Sequence, residues 1–543
     1  MAWNCHRSFA GANTRHLAPF VNGRLRLATA IPAVATITLL MAAMPLSAQP
    51  FTRTIANGET VVVQRNESFG VLANESLLIQ SGGELQGRGS LIGLAGLVQN
   101  NGLLRAFKGS ENATAVDISG PFTNSGFGRI EVTHLTVSSG GVLMSEGGLQ
   151  LGGFRVNPGD PLVLVCANTV PCPETGFTID SGGRIEVGVV GGMLNHGDGQ
   201  ILGSLENAGS FVSRNGANTS GGIPYSQTLT VGRDPVFGGG QGRVLNVGHF
   251  ELQRGNTLRN YDRVSNSGSF ELAGGRYMAS DEARLVNTGT VVVGSGGQLI
   301  ANRTPGFDAQ GDRLVAVFNS GRVEVQAGAT LHNGWFMRVE PLGPALAEVV
   351  VAQGGTLTQS DDGLMAIAGG IMQVGGSVTG GAITVGNLGG IAGALRIDPG
   401  GSVSVDSYLQ TEGELRVNGT LTGQVTLLGG NLTGGVLGSS INGNTLVGGA
   451  GGGPAQEPPN CGNAFFACFR PGNSPGHMDI FGDLTMGANS ILELEIERDA
   501  NGVLTWDSVF AESMSFESGS TIRVLVGAGV PGAAVVDLEL LRC

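Results

Sequence analysis

Leu245-Asn246-Val247-Gly248-His249-Phe250, Val264-Ser265-Asn266-Ser267-Gly268-Ser269-Phe270 and Leu285-Val286-Asn287-Thr288-Gly289-Thr290-Val291 are three copies of one phrase, an Asn-x-Gly held between apolar residues. The phrase recurs at Phe122-Thr123-Asn124-Ser125-Gly126, Leu205-Glu206-Asn207-Ala208-Gly209 and Val317-Phe318-Asn319-Ser320-Gly321. From Asn246 it returns after 20, 21 and 32 residues, and the last interval holds an extra segment, 302–312. A second phrase, Gly-Gly-x-apolar after a small or polar residue, appears at Ser81-Gly82-Gly83-Glu84-Leu85, Ser139-Gly140-Gly141-Val142-Leu143 and Ser181-Gly182-Gly183-Arg184-Ile185. It returns at Ser295-Gly296-Gly297, Gln353-Gly354-Gly355 and Pro399-Gly400-Gly401.

Between these phrases run short alternating segments such as Gly-Ser-Phe-Glu-Leu and Gly-Arg-Val-Glu-Val. Each puts apolar side chains on one face and polar ones on the other, as a strand does. Asn-x-Gly and Gly-Gly read as the positive-φ corners joining them. A unit of about 20 residues built this way cannot bury its apolar face alone, and stacking successive turns solves that. The fold expected is all-β: a parallel β-helix, or β-solenoid, over 49–447, followed by a short C-terminal β module. Roughly 20 rungs at about 4.8 Å give a rod on the order of 80–90 Å. Asparagines at one corner of successive rungs can form a side-chain ladder. An antiparallel sandwich is the rival fold; recurrence of one phrase in register favours the solenoid.

The composition agrees. Of 543 residues 94 are Gly, charged residues are 13 %, and Lys108 is the only lysine. That excludes a helical protein, since Gly costs about 1 kcal/mol per helical site. Collagen is excluded by the missing period of three. An apolar share of 41 % supports a core rather than disorder. A formal charge of −13 argues against a nucleic-acid partner.

Residues 1–48 read as a signal peptide. Arg7, Arg15, Arg24 and Arg26 precede an apolar stretch, and Leu46-Ser47-Ala48 offers a cleavage site. An uncleaved anchor is the alternative, weakened by Pro32 and Pro45. No later stretch has spanning length, so no integral membrane span is expected after cleavage. In an exported chain two local pairs, Cys166 with Cys172 and Cys461 with Cys468, read as probable loop-closing disulfides. Their spacing is wide for zinc. Cys543 has no obvious mate. Segments 156–177, 214–242 and 302–312 break the period and should project from the rod. Residues 448–476 read as a Gly/Pro-rich linker carrying the second cysteine pair, and 477–543 as the C-terminal module or cap.

The two phrases, with Gly482-Asp483-Leu484-Thr485, Leu492-Glu493-Leu494-Glu495-Ile496 and Gly519-Ser520-Thr521-Ile522, resemble secreted bacterial β-solenoid surface proteins of the autotransporter-passenger and filamentous-haemagglutinin-like group. The resemblance implies adhesion, surface coating or matrix at the outer cell surface, surface glycans or other cell-surface components as partners, and self-association. A terminal membrane barrel and a sorting tail, which such proteins often carry, are not recognised.

A polysaccharide-cleaving β-helix, a lyase or glycoside hydrolase, is the alternative class. It would need Asp, Glu, Arg or Lys on one face of adjacent rungs. The acidic groups available are Asp281-Glu282 with Arg284, Asp308 and Asp312 with Arg313, and Asp361-Asp362, all in turn-like contexts that read as solvated loops. His134, His196, His249, His332 and His477 lack metal-ligand spacing. No Gly-x-Ser-x-Gly elbow and no phosphate loop occur. Trp335 follows Asn333-Gly334 and reads as a packed rung-end aromatic, with sugar stacking as the alternative. The expectation is no catalytic, cofactor-binding or metal residues, and no cofactor.

Overall fold

The computed structural model describes residues 51–543 except 65, 89, 108–114, 152–175, 215–226, 233–241, 281–282, 303–314, 436–438, 450–460, 462–465, 473–475, 528–529 and 531–539. The signal-peptide region and the groups Asp281-Glu282 and Asp308, Asp312 and Arg313 lie outside these residues. So do Cys166 and Cys172, and the disulfide expected between them is therefore not among the bridges described. All regular structure among the described residues is β.

Each rung has three short strands, one on each of three faces. The first rung is Arg53–Ile55 on face 1, Thr60–Val63 on face 2 and Ser68–Val71 on face 3. The chain then returns to face 1 at Ser76–Ile79, which pairs in parallel with Arg53–Ile55. The Gly-Gly phrase opens strands on all three faces: Glu84–Arg88 on face 2, Val142–Ser145 and Arg184–Val187 on face 1, and Gln298–Asn302 and Thr356–Gln359 on face 3. Some face 3 strands, such as Thr228–Val231 and Thr257–Asn260, carry neither phrase. Face 2 alone forms an unbroken parallel stack of nineteen described strands, from Thr60–Val63 to Thr521–Val526. At about 4.8 Å per step the stack is roughly 85–90 Å long. Among the described residues antiparallel pairing is confined to two small hairpins, 387–392 and 496–506, and one bridge. The sandwich is thereby excluded.

Alternation within each strand sends every second side chain inward. Val264, Leu285 and Val244 on face 1, and Phe250, Phe270 and Val291 on face 2, are at most 2 % exposed. Stacking places like above like. Phe211 lies on Phe250 with ring centroids 4.3 Å apart, and Phe250 meets Phe270 edge to face at 5.3 Å. Trp335 is 4 % exposed, so it packs inward rather than offering a sugar platform.

The asparagines of the recurring phrase also point inward. Asn207, Asn246, Asn266, Asn287 and Asn319 are all at most 2 % exposed. Each Nδ2 donates to the Oδ1 of the next, at 2.7, 2.7, 2.8 and 2.7 Å. Each also donates to a backbone carbonyl beyond the corner, as Asn266 does to Thr290 at 3.0 Å. Asn100 and Asn124 make a shorter ladder at 2.8 Å, continued by Ser145 at 2.9 Å. The ladder stops after Asn319 because the next rung carries Val339 at that position.

The two glycine phrases do different work, and one differs from expectation. In Ser81-Gly82-Gly83, Gly82 holds φ +82°, while a Cβ on Gly83 would stand 2.7 Å from the Ile55 carbonyl oxygen. The glycine of Asn-x-Gly is not a positive-φ corner. Gly268 is needed because a Cβ there would meet the Gly248 oxygen of the preceding rung at 2.1 Å. Close approach of stacked corners, not backbone handedness, selects it.

The stretch read as a linker contains a face 2 strand, Ala467–Arg470, which pairs with Gly430–Gly434. Its Cys468 is bridged to Cys461, as the spacing suggested. Of the two local pairs expected to close loops, this is the one the described residues contain; Cys166 and Cys172 lie in the segment 152–175, outside them. Cys543, without an evident mate in the sequence, is also disulfide-bonded. The C-terminal strands extend the same stacks: His477–Met486 pairs with Ser440–Asn442 and Thr445–Val447, and Ser508–Phe516 pairs with His477–Met486. They look longer because face 3 and face 1 run on as one bent strand, as already happens at Ser402–Gln410.

Two substitutions test this account. Asn266→Ala takes one acceptor from the Asn246 amide, which keeps the Ser269 carbonyl, and removes the donor to the buried Asn287 oxygen, costing about 1–3 kcal/mol. Hydrogen exchange should quicken in strands 243–246 and 284–287, while strand 414–417, many rungs away, keeps its protection. Gly268→Ala should lower the melting temperature by several degrees. Gly126→Ala, which meets nothing within 4 Å, should leave it unchanged.

Candidate functional site

Met478 and Ile480 point into the core, so alternation turns His477, Asp479 and Phe481 outward. On the next rung Val509 and Ala511 point in, and Ser508 and Phe510 point out. Parallel register sets His477 beside Ser508 and Asp479 beside Phe510. With Arg542 these residues line a shallow depression. His477 Nδ1 lies 2.7 Å from Ser508 Oγ, and Nε2 lies 2.9 Å from Asp479 Oδ1. Phe481 and Phe510 meet at 6.4 Å between ring centroids.

The buried Asp507 fixes this edge. Its carboxylate accepts the N–H of Gly476 at 2.7 Å and the N–H of Glu495 at 3.0 Å. Burial pushes its pKa up, against the pull of those two amides.

A hydroxyl, an imidazole and a carboxylate in a hydrogen-bonded row are the parts of an activated serine. Two features set this row apart from one. The side chains of His477 and Asp479 are 47 % and 32 % exposed, so the carboxylate is not a desolvated orienter. The neighbouring amides are taken by the sheet: Ser508 N–H donates to the Gly476 oxygen at 2.9 Å, and Val509 N–H to the Leu540 oxygen at 3.0 Å. Neither can stabilise an oxyanion. The patch is suited to binding, with donors and acceptors beside two phenyl rings. Sequence reasoning missed it because His477 and Ser508 are 31 positions apart. Only the register of the stack joins them.

The residues singled out in the sequence fall elsewhere. Asp361 and Asp362 are exposed in the corner between strands 356–359 and 364–368. His332 on face 3 bonds Thr358 Oγ1 at 2.8 Å, and burial lowers its pKa. Burial also lowers that of His196, helped by Arg214. His249 on face 2 stands 3.5 Å from Glu251. Among the described residues no group of three metal-ligating side chains forms. Nor is any helix long and apolar enough to cross a membrane.

Charge on face 2 is arranged by the rungs. Arg105 sits between Glu84 and Glu131, at 3.1 Å from each. Glu493 sits between Arg470 at 2.7 Å and Arg523 at 3.1 Å. Such partly exposed pairs each contribute about 0–1 kcal/mol and help set register.

No family model matches the sequence, and no curated protein matches it. Among solved structures it is similar to the TibC-catalysed hyper-glycosylated TibA fragment, residues 55–350, at 14 % identity. That alignment covers 86 % of this chain and all of the other, with a TM-score of 0.17, too low to carry inference.

If the Ser508 row is a binding surface, Ser508→Ala should leave any hydrolysis of activated esters by the purified protein unchanged. Loss of a saturable esterase activity in that variant alone would make the row catalytic.

Proposed function

We propose that the mature chain is an exported structural or adhesive rod of the bacterial cell surface or extracellular matrix. The observation that carries this reading is the continuous in-register stack on face 2, from Thr60 to Val526. A stack of that length is stiff, because rungs are held by backbone ladders to their neighbours, and it presents long outer sheet faces. The N-terminal arginines, apolar stretch and Leu46-Ser47-Ala48 support export. The resemblance of the Asn-x-Gly and Gly-Gly phrases to secreted surface solenoids supports a place outside the cell. Surface glycans or other surface components are the partners such faces suit.

Location tests the reading. Antibody to residues 49–543, with fractionation and protease shaving of intact cells, should find the protein shaved from the surface or released into the medium. Protection within the periplasm would overturn the surface role and bring polysaccharide cleavage forward.

A further inference from the structure

Where face 2 mixes opposite stacks such as Glu84, Arg105 and Glu131 with the like pairs Glu251 on Glu271 and Arg396 on Arg416, three successive rungs of face 1 stack like charges. Their strands read Arg243-Val244-Leu245-Asn246, Arg263-Val264-Ser265-Asn266 and Arg284-Leu285-Val286-Asn287. The register is direct: Arg243 pairs with Arg263, and Arg263 with Arg284. The inward asparagines of these strands are locked in the ladder, so the outward arginines cannot slip out of line. All three are exposed. Like charges stacked at about 4.8 Å repel.

Compensation is partial. Arg243 reaches Glu206 at 3.0 Å. Arg263 donates to Ser265 Oγ at 3.1 Å. Asp262 adjoins Arg263, and burial raises its pKa. Among the described residues no carboxylate stands within ion-pair distance of Arg263 or Arg284. Asp234, Asp281 and Glu282, which precede the ladder strands in the sequence, lie outside the described residues.

The same outer surface turns apolar beside the ladder. The neighbouring row reads Leu245, Ser265, Val286 and then Phe318. On the next rung Arg338, paired with Glu340, follows Phe318 in this row, while Phe336 lies two positions before it, in the row of the arginines; both phenylalanines are half-buried on the outer surface. Guanidinium groups repeated along an axis, beside phenyl rings, match a linear ligand with two features. One is a carboxylate or sulfate at regular intervals, which arginine grips in two-point hydrogen bonds. The other is a pyranose CH face that stacks on an aromatic ring. Nucleic acid fits poorly against a chain of charge −13.

We propose that Arg243, Arg263 and Arg284, with Phe318 and Phe336, form a binding track for an acidic polysaccharide lying along the rod. This names the ligand class of the adhesive reading and rests on it only for biological meaning. Binding in vitro does not depend on where the cell places the protein.

The test uses the purified mature chain, with heparin as the sulfated probe, polygalacturonate as the carboxylated probe and dextran as the neutral one. The wild type should bind at least one acidic probe in calorimetry and ignore dextran. The variant Arg243→Ser/Arg263→Ser/Arg284→Ser should bind at least tenfold more weakly. The control Arg88→Ser/Arg129→Ser/Arg416→Ser, which removes the same charge from face 2, should bind within twofold of wild type. Phe318→Ala should weaken binding without changing its salt dependence. Circular dichroism checks that each variant is folded. No binding by the wild type, or equal loss in both triple variants, overturns the proposal. So does self-association in sedimentation that only the ladder variant loses, without glycan binding, since the partner would then be an acidic face of a second copy.

Discussion

Every level of this rod obeys one constraint: a residue sits directly over its equivalent in the rung below, one strand spacing away. Backbone hydrogen bonds impose that spacing, and each side chain must tolerate or exploit it. A buried asparagine fits the constraint well. Its amide donates upward while its oxygen accepts from below, so five of them join in one row of four side-chain bonds from Asn207 to Asn319. Glycine fits for another reason. At Gly268 the corner of one rung comes so close to the carbonyl of the last that no Cβ has room. Large apolar residues fit by stacking, as Phe211, Phe250 and Phe270 do.

The same constraint governs the outside. Charges that alternate between rungs, such as Glu84, Arg105 and Glu131, help hold register. Charges that repeat, as at Arg243, Arg263 and Arg284, work against it unless something anionic lies over them. The asparagine ladder inside holds those three strands in line. The cost of like-on-like stacking outside is therefore borne by the strongest part of the interior.

Much of this was legible in the chain. The Asn-x-Gly and Gly-Gly phrases gave away the repeat, the parallel stacking and the ladder, because identical corners in register leave identical residues. The inward Trp335 and the bridge Cys461–Cys468 also follow from local pattern. The same local reading of Cys166 and Cys172 falls outside the described residues and gains no support from that bridge. Other features were not legible, for physical reasons. Three strands to a rung were not legible, because the Gly-Gly phrase opens strands of all three faces, Glu84–Arg88 on face 2, Arg184–Val187 on face 1 and Gln298–Asn302 on face 3, and so does not mark any one of them. The C-terminal strands looked like a separate module because two faces merge there into one bent strand. The row of His477, Asp479 and Ser508, and the facing of Arg263 on Arg284, depend on register, and the length of intervening corners and loops hides register from any local reading.

In-register stacking can be measured directly with engineered cysteine pairs. Ser265 and Val286 face outward on adjacent rungs in direct register. Val292 is only a few residues further along the chain but lies on face 2. Strand neighbours about 4.8 Å apart fall within the Cα separation a disulfide spans. Mild oxidation should join Ser265→Cys to Val286→Cys rapidly and leave Ser265→Cys with Val292→Cys unjoined. Equal yields from the two pairs, or preference for the second, would contradict the stacked-rung account.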